Sequence, residues 1–138
     1  EFLHPWAGAE PVEDANDASV VLRLSYGEFS ALLTGDAPAF VEEALVRRHG
    51  RGLEADLLKV GHHGSSTSTS GALLGATGAG LAVISAGKGN RYGHPHPIVL
   101  ARLDSAGVRV LRTDRDGTLV VRGSADGRID VEREREGG

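Results

Sequence analysis

A chain of 138 residues that is 40% hydrophobic and 25% charged has the size and composition of one globular domain, not of a disordered tail. The net charge of −4 excludes a basic nucleic-acid-binding glove, so any polyanion must be met through a metal ion or a local patch. The absence of cysteine excludes disulfides, thiolate metal sites and a cysteine nucleophile.

The first residue is Glu1 and there is no Met, so a piece of a longer protein is expected, with any membrane segment outside it. Ser19–Ser25 is β-rich, Tyr26-Gly27-Glu28 reads as a turn, and Phe29–Thr34 follows as a second strand of a hairpin. Ala37–His49 carries apolar residues at Phe40, Val41, Ala44 and Leu45, ends in basic residues, and meets Gly50 at a natural C-cap, so it predicts a helix. Asp56–Val60 is a short strand ending at Gly61. Ser66–Ala76 offers Ser/Thr N-caps before Ala72, Leu73 and Leu74 and predicts a second helix. Leu81–Ala86 is an apolar run suited to a buried strand. Pro97–Ala106 predicts a helix with Pro in its first turn and Gly107 after its end. Val108–Thr113, Thr118–Arg122 and Arg128–Val131 predict short strands, and Glu132–Gly138 a frayed charged tail. Strands interleaved with helices imply a layered α/β or α+β architecture over residues 1–131.

Three polar loops each follow a predicted strand: Thr34-Gly35-Asp36, Gly61–Ser66 and Gly87–His96. Ligands gather at one end of the strands in α/β sheets, so such loops can converge. Asp36 suits either an N-cap or a carboxylate bridging two metal ions. His62 and His63 stand at a strand end between glycines. Alternation on a strand would send one toward a metal and the other toward substrate, without saying which. Asn90, His94 and His96 sit in a Gly/Pro-shaped loop. The loop either launches the next helix or presents Asn90 and His94 to a phosphate oxygen or leaving group. Asn16-Asp17-Ala18-Ser19 reads as turn chemistry and His4 as structural. No dinucleotide fingerprint, P-loop, serine-nucleophile elbow or His-Glu-x-x-His is present.

Taken together, Leu32–Asp36, Leu57–Ser65, Ile84–Gly87 with Asn90, Tyr92–Pro95, and the closing Arg112-Thr113-Asp114 with Asp116-Gly117 resemble the C-terminal metallo-β-lactamase-like domain of the ComEC family of DNA-internalisation competence proteins. The likeness runs from about Leu3 to Val121. It implies the C-terminal half of an αββα sandwich, a mixed sheet with flanking helices. It further implies two divalent ions, Mn²⁺ or Zn²⁺, with Asp36 bridging them and a late His as ligand. His62 is favoured as that ligand and His63 as its neighbour. Asn90, His94 and His63 would act near the scissile phosphate. The Asn16–Ser19 stretch stands where many relatives carry another His, so an Asn or a water would fill that role.

The implied chemistry is in-line attack of an activated water on DNA, single-stranded by preference, during uptake. The implied partners are the membrane channel domain of the parent protein and an N-terminal half carrying His-x-His-x-Asp-His, a motif this chain lacks. The implied place is an extracytoplasmic domain of a bacterial membrane protein. The 138 residues alone are expected to be catalytically weak or inactive. Hydrolysis of another phosphoester, such as phosphocholine, and a degenerate domain docking on a DNA channel are the alternatives.

Overall fold

The computed structural model describes residues 1–8 and 13–134. Its main sheet has six strands in chain order: β1 (Phe2–His4), β2 (Val21–Tyr26), β3 (Phe29–Leu33), β4 (Leu57–Lys59), β5 (Leu81–Ile84) and β6 (Arg109–Arg112). The first three strands run antiparallel, and β3 to β6 run parallel. The parallel crossovers are helical, as parallel pairing requires: α1 (Ala39–His49), α2 (Gly71–Thr77) and α3 (Pro97–Ser105). A short α4 (Thr113–Asp116) leads into a separate hairpin of β7 (Thr118–Gly123) and β8 (Ile129–Glu134). The fold is mixed α/β, with a mixed sheet and flanking helices.

Period-two alternation divides the sheet residues between two faces. Leu32, Leu58, Ala82 and Val110 are register partners across four strands. They belong to one apolar core with Val41 and Leu45 of α1, Leu73 and Leu74 of α2, and Val99 and Leu103 of α3. The helices therefore share one face. The other face carries Ala31, Leu57 and Leu81 in one row and Leu33, Lys59, Val83 and Leu111 in the next. The β7–β8 hairpin covers part of it. A Cβ on Gly123 would collide with the Phe29 ring, and the Ala125 carbonyl accepts the Glu28 amide at 2.8 Å. Toward the β2 edge the covering ends: Leu24 and Tyr26 are 48% and 60% exposed.

Four details differ from the sequence reading. Phe2–His4 adds an edge strand. The Ser/Thr tract stays out of the helix, which begins at Gly71 with Ser70 as its N-cap, the hydroxyl accepting the Leu73 amide at 3.2 Å. Residues 113–116 form a helical turn instead of ending a strand. Pairing in β8 continues to Glu134, three residues past Val131, because Ile129 and Val131 alternate with charged residues that face outward. The remainder of the expected tail, 135–138, lies outside the described residues.

Candidate metal centre at the ends of the parallel strands

Strands β3, β4 and β5 are adjacent and parallel, so the loops that follow them leave the same edge of the sheet side by side. Backbone bonds fasten these loops to one another. The His62 amide donates to the Gly35 carbonyl at 3.0 Å, and the His96 amide donates to the Gly64 carbonyl at 2.8 Å. Thr34, fully buried, donates from its hydroxyl to the Lys59 carbonyl at 3.3 Å. A Cβ on Gly64 would stand 2.6 Å from Pro95 Cβ, so glycine lets the second and third loops touch.

Within this junction His63 Nε2 lies 4.0 Å from Asp36 Oδ1. His63 Nδ1 is 2.8 Å from the Ser85 carbonyl oxygen. A carbonyl only accepts, so Nδ1 carries a proton, and Nε2 is the ring nitrogen turned to the carboxylate. A ring nitrogen fixed in this way by a backbone acceptor is the usual support of a metal-binding histidine. Asp36 is held in turn: its amide donates to Ser19 Oγ at 3.1 Å, and His4 Nδ1 donates to the Ser19 carbonyl at 2.8 Å. His4, read as structural, thus steadies the segment behind Asp36.

His62 points elsewhere. Its Nδ1 is 3.5 Å from Thr67 Oγ1, and its ring meets that of His94 at 6.0 Å, nearly edge to face. The geometry brings His63, not the favoured His62, to Asp36. The alternation argument does not apply to this pair, because β4 ends at Lys59 and both histidines lie in a turn with left-handed backbone. Their φ values are 47° and 55°, a region that costs a non-glycine residue roughly 1–2 kcal/mol. Paired outliers of this kind concentrate where structure serves function.

In the third loop, the side-chain amide of Asn90 donates to the carbonyls of Gly87 at 2.9 Å and His94 at 2.6 Å, and its oxygen accepts the His94 amide at 3.0 Å. Asn90 therefore shapes the loop. His94 stacks on Tyr92, with ring centres 5.8 Å apart. Burial, then the neighbouring His62, His63 and His96, lowers the His94 pKa below its ordinary value, which keeps the ring neutral at pH 7. His96 caps α3, its Nδ1 accepting the Ile98 amide at 3.2 Å. Lys59 stands half-buried on the sheet face opposite the helices, where burial pushes its pKa down and the Asp36 carboxylate offsets part of the effect.

Several supporting residues left little trace in the sequence. The carboxylate of Glu42, fully buried, accepts the amides of Thr69 at 2.6 Å and Ser70 at 2.7 Å. Arg102 donates to the carbonyls of Ser66, Ser68 and Thr69 at 3.3–3.5 Å. Together they clamp the Ser/Thr tract behind the two histidines. Among the described residues, no group of three or more His, Asp or Glu is placed to hold a metal ion. Asp36 and His63 are two converging donors. Among the described residues, no helix is long and apolar enough to cross a membrane.

No family model matches the chain. It is 42% identical over 119 residues to Competence protein ComA of Neisseria gonorrhoeae, which covers 86% of the chain and 17% of that protein. It is 44% identical over 107 residues to ComE operon protein 3 of Bacillus subtilis, covering 78% and 14%. It is 38% identical over 120 residues to Recombination protein 2 of Haemophilus influenzae, covering 87% and 15%. The chain spans less than a fifth of the length of these curated relatives. At 38–44% identity, the chain is homologous to one segment of these proteins, which supports its place among the ComEC-family competence proteins.

Proposed function

We propose that this chain supplies half of a two-metal phosphodiesterase site in a metallo-β-lactamase-like domain, and that the whole domain cuts DNA during competence uptake. The observation that carries the reading is the approach of His63 Nε2 to Asp36 Oδ1 at 4.0 Å, with Nδ1 tied to the Ser85 carbonyl. A carboxylate and a neutral imidazole form a donor set that suits Mn²⁺ or Zn²⁺. Two donors do not hold two ions, so the remaining ligands come from a part of the parent protein outside these 138 residues. That segment also completes the sandwich against the uncovered face bearing Leu24, Leu33 and Tyr26. The relatives' greater length and the name competence protein support this reading.

Divalent ions, when bound, supply the Lewis acidity that an attacking water needs at neutral pH. Asp36, through its carboxylate, and His63, through Nε2, are the residues that would hold them. His94, kept neutral by burial and its histidine neighbours, lies beside them to accept or return a proton at the leaving oxygen. Asn90 acts at one remove by fixing the loop that carries His94. A parent protein anchored in the bacterial membrane, with this domain outside the cytoplasm and next to its channel, fits the same reading.

The test is Mn²⁺-dependent cleavage of a labelled oligonucleotide by the full-length protein. Asp36→Asn and His63→Ala should each abolish cleavage, and the 138-residue chain alone should show none. Full activity in either variant refutes the metal centre. Absence of Mn²⁺-dependent cleavage by the full-length parent itself would point to a docking role instead.

A further inference from the structure

A cavity of about 310 Å³ opens next to His63, walled by Ala86, Gly87, Tyr92 and His94. Tyr92 is 66% exposed. The ring is not a loose surface feature. It stacks on His94 with an interplanar angle of 28°, and Arg91 donates to its hydroxyl at 2.8 Å while lying 5.0 Å from the ring centre. Asn90 locks the backbone on either side. A planar ring is thus fixed in advance, with His94 stacked on it and the Arg91 guanidinium over it, at the mouth of a cavity that reaches a candidate ligand of the metal centre. Ring ordering costs little at the moment of binding when it is already fixed.

We propose that this cavity is a nucleobase subsite, in which one unpaired base of a DNA single strand takes the place of the Arg91 guanidinium over Tyr92 while Arg91 turns to the adjacent phosphate. The proposal rests on the phosphodiesterase reading for its substrate class. The walls explain its selectivity. Both N–H groups of the Asn90 amide are spent on backbone carbonyls, so they are not free to read a base edge. Stacking on an aromatic face is sequence-tolerant, because every base has a π-face. A base inside a duplex has neighbours on both faces and enters only after unpairing and unstacking. The subsite therefore favours single strands of any sequence.

The experiment measures anisotropy of a fluorescent oligo(dT) and of a duplex of equal length on the solubilised full-length protein in EDTA. Tyr92→Ala should weaken single-strand binding by about tenfold, the scale of one lost base stack, and leave duplex binding unchanged. Tyr92→Phe keeps the stacking ring, losing only the Arg91 bond to the hydroxyl, and should weaken binding far less than Tyr92→Ala. An oligonucleotide of abasic sites should bind the parent protein no better than oligo(dT) binds Tyr92→Ala. Equal binding by Tyr92→Ala and parent, equal loss for strand and duplex, or no measurable strand binding by the parent each overturns the subsite. The two readings fail separately. Wild-type cleavage by Asp36→Asn sinks the metal centre and leaves the binding result standing, whereas unchanged binding by Tyr92→Ala sinks the subsite and leaves cleavage standing.

Discussion

Replacing Glu42 by Gln tests whether the histidine turn is held from behind by a buried carboxylate. Glu42 lies on α1, is fully buried, and accepts two short bonds from the amides of Thr69 and Ser70. No cation is bonded to it among the described residues; the amides of Thr69 and Ser70, just ahead of α2, are its donors. In the Gln variant one oxygen becomes an NH₂ that faces an N–H, so one charge-assisted bond is lost and one donor is orphaned. A bond to a charged group contributes about 1.5–3 kcal/mol, and a buried unsatisfied donor costs about 1–3 kcal/mol. With partial relaxation the net loss is about 2–4 kcal/mol, a large share of the roughly 5–15 kcal/mol that holds a domain. At about 2–4 °C per kcal/mol for a chain of this order, the melting temperature should fall by roughly 10 °C. The single tryptophan, Trp6, reports the transition by fluorescence. Hydrogen exchange at the Thr69 and Ser70 amides should accelerate before global unfolding does. A Glu42→Gln protein melting within about 2 °C of the parent, with those amides still protected, would refute the clamp.

Other consequences are smaller in scope. His63→Ala in the full-length protein should weaken Mn²⁺ binding by more than the roughly 10–100-fold typical of an outer partner, and His62→Ala by less; calorimetric titration decides, and the reverse order would move the ligand to His62. Asp114, gripped by the Arg112 guanidinium at 2.6 and 3.0 Å, has its pKa lowered below the ordinary 3.8, chiefly by that hydrogen bond. Its folded value lies below its unfolded one, so its contribution is present above pH 3.8 and fades as pH falls through the folded value; urea melts of parent and Asp114→Asn should converge over that window. Lys59 has the opposite sense: burial lowers its folded value below 10.5, so its charge opposes folding until pH rises through that value, and Lys59→Met should raise the neutral-pH denaturation midpoint. Gly123→Ala drives a methyl into the Phe29 ring and should cost about 1–3 kcal/mol, with Phe29→Leu recovering part of it in the double variant.

The hairpin of β2 and β3, α1 and α3 could be read from the sequence because each carries its own local signal: a Gly turn, a basic last turn before Gly50, and Pro97 ahead of Gly107. Strand β1 is three residues long and gains its place only from pairing with β2, so nothing near Phe2 announces it. The Ser/Thr tract read as a helix start because its caps are real, yet Glu42 and Arg102 hold it as a loop, and both partners are distant in sequence. Glu42 is one of two adjacent acidic residues on a helix, and only burial distinguishes it from Glu43. His62 and His63 were legible as a pair, but not their backbone. Positive φ at these two histidines could not be read from the residues, so strand alternation, which left the choice between them open, was applied to a segment that is not a strand.

The convergence itself needed none of those details. Adjacent strands lie about 4.8 Å apart, so loops leaving neighbouring parallel strands at one edge begin within about 10 Å of one another whatever their residues. Order along the chain therefore fixes which loops meet, once β3, β4 and β5 are recognised as parallel neighbours. Side-chain direction is decided later and more locally, by the Ser85 carbonyl on His63 and the Ser19 hydroxyl at Asp36. This separation has a consequence for substitution. A change on β4 or β5 that preserves the pairing should keep the loops together while leaving ligand direction intact. Ser19→Ala, which touches no strand pairing in the parallel set, removes the acceptor of the Asp36 amide. Its cost should therefore appear in metal affinity and little in the melting temperature.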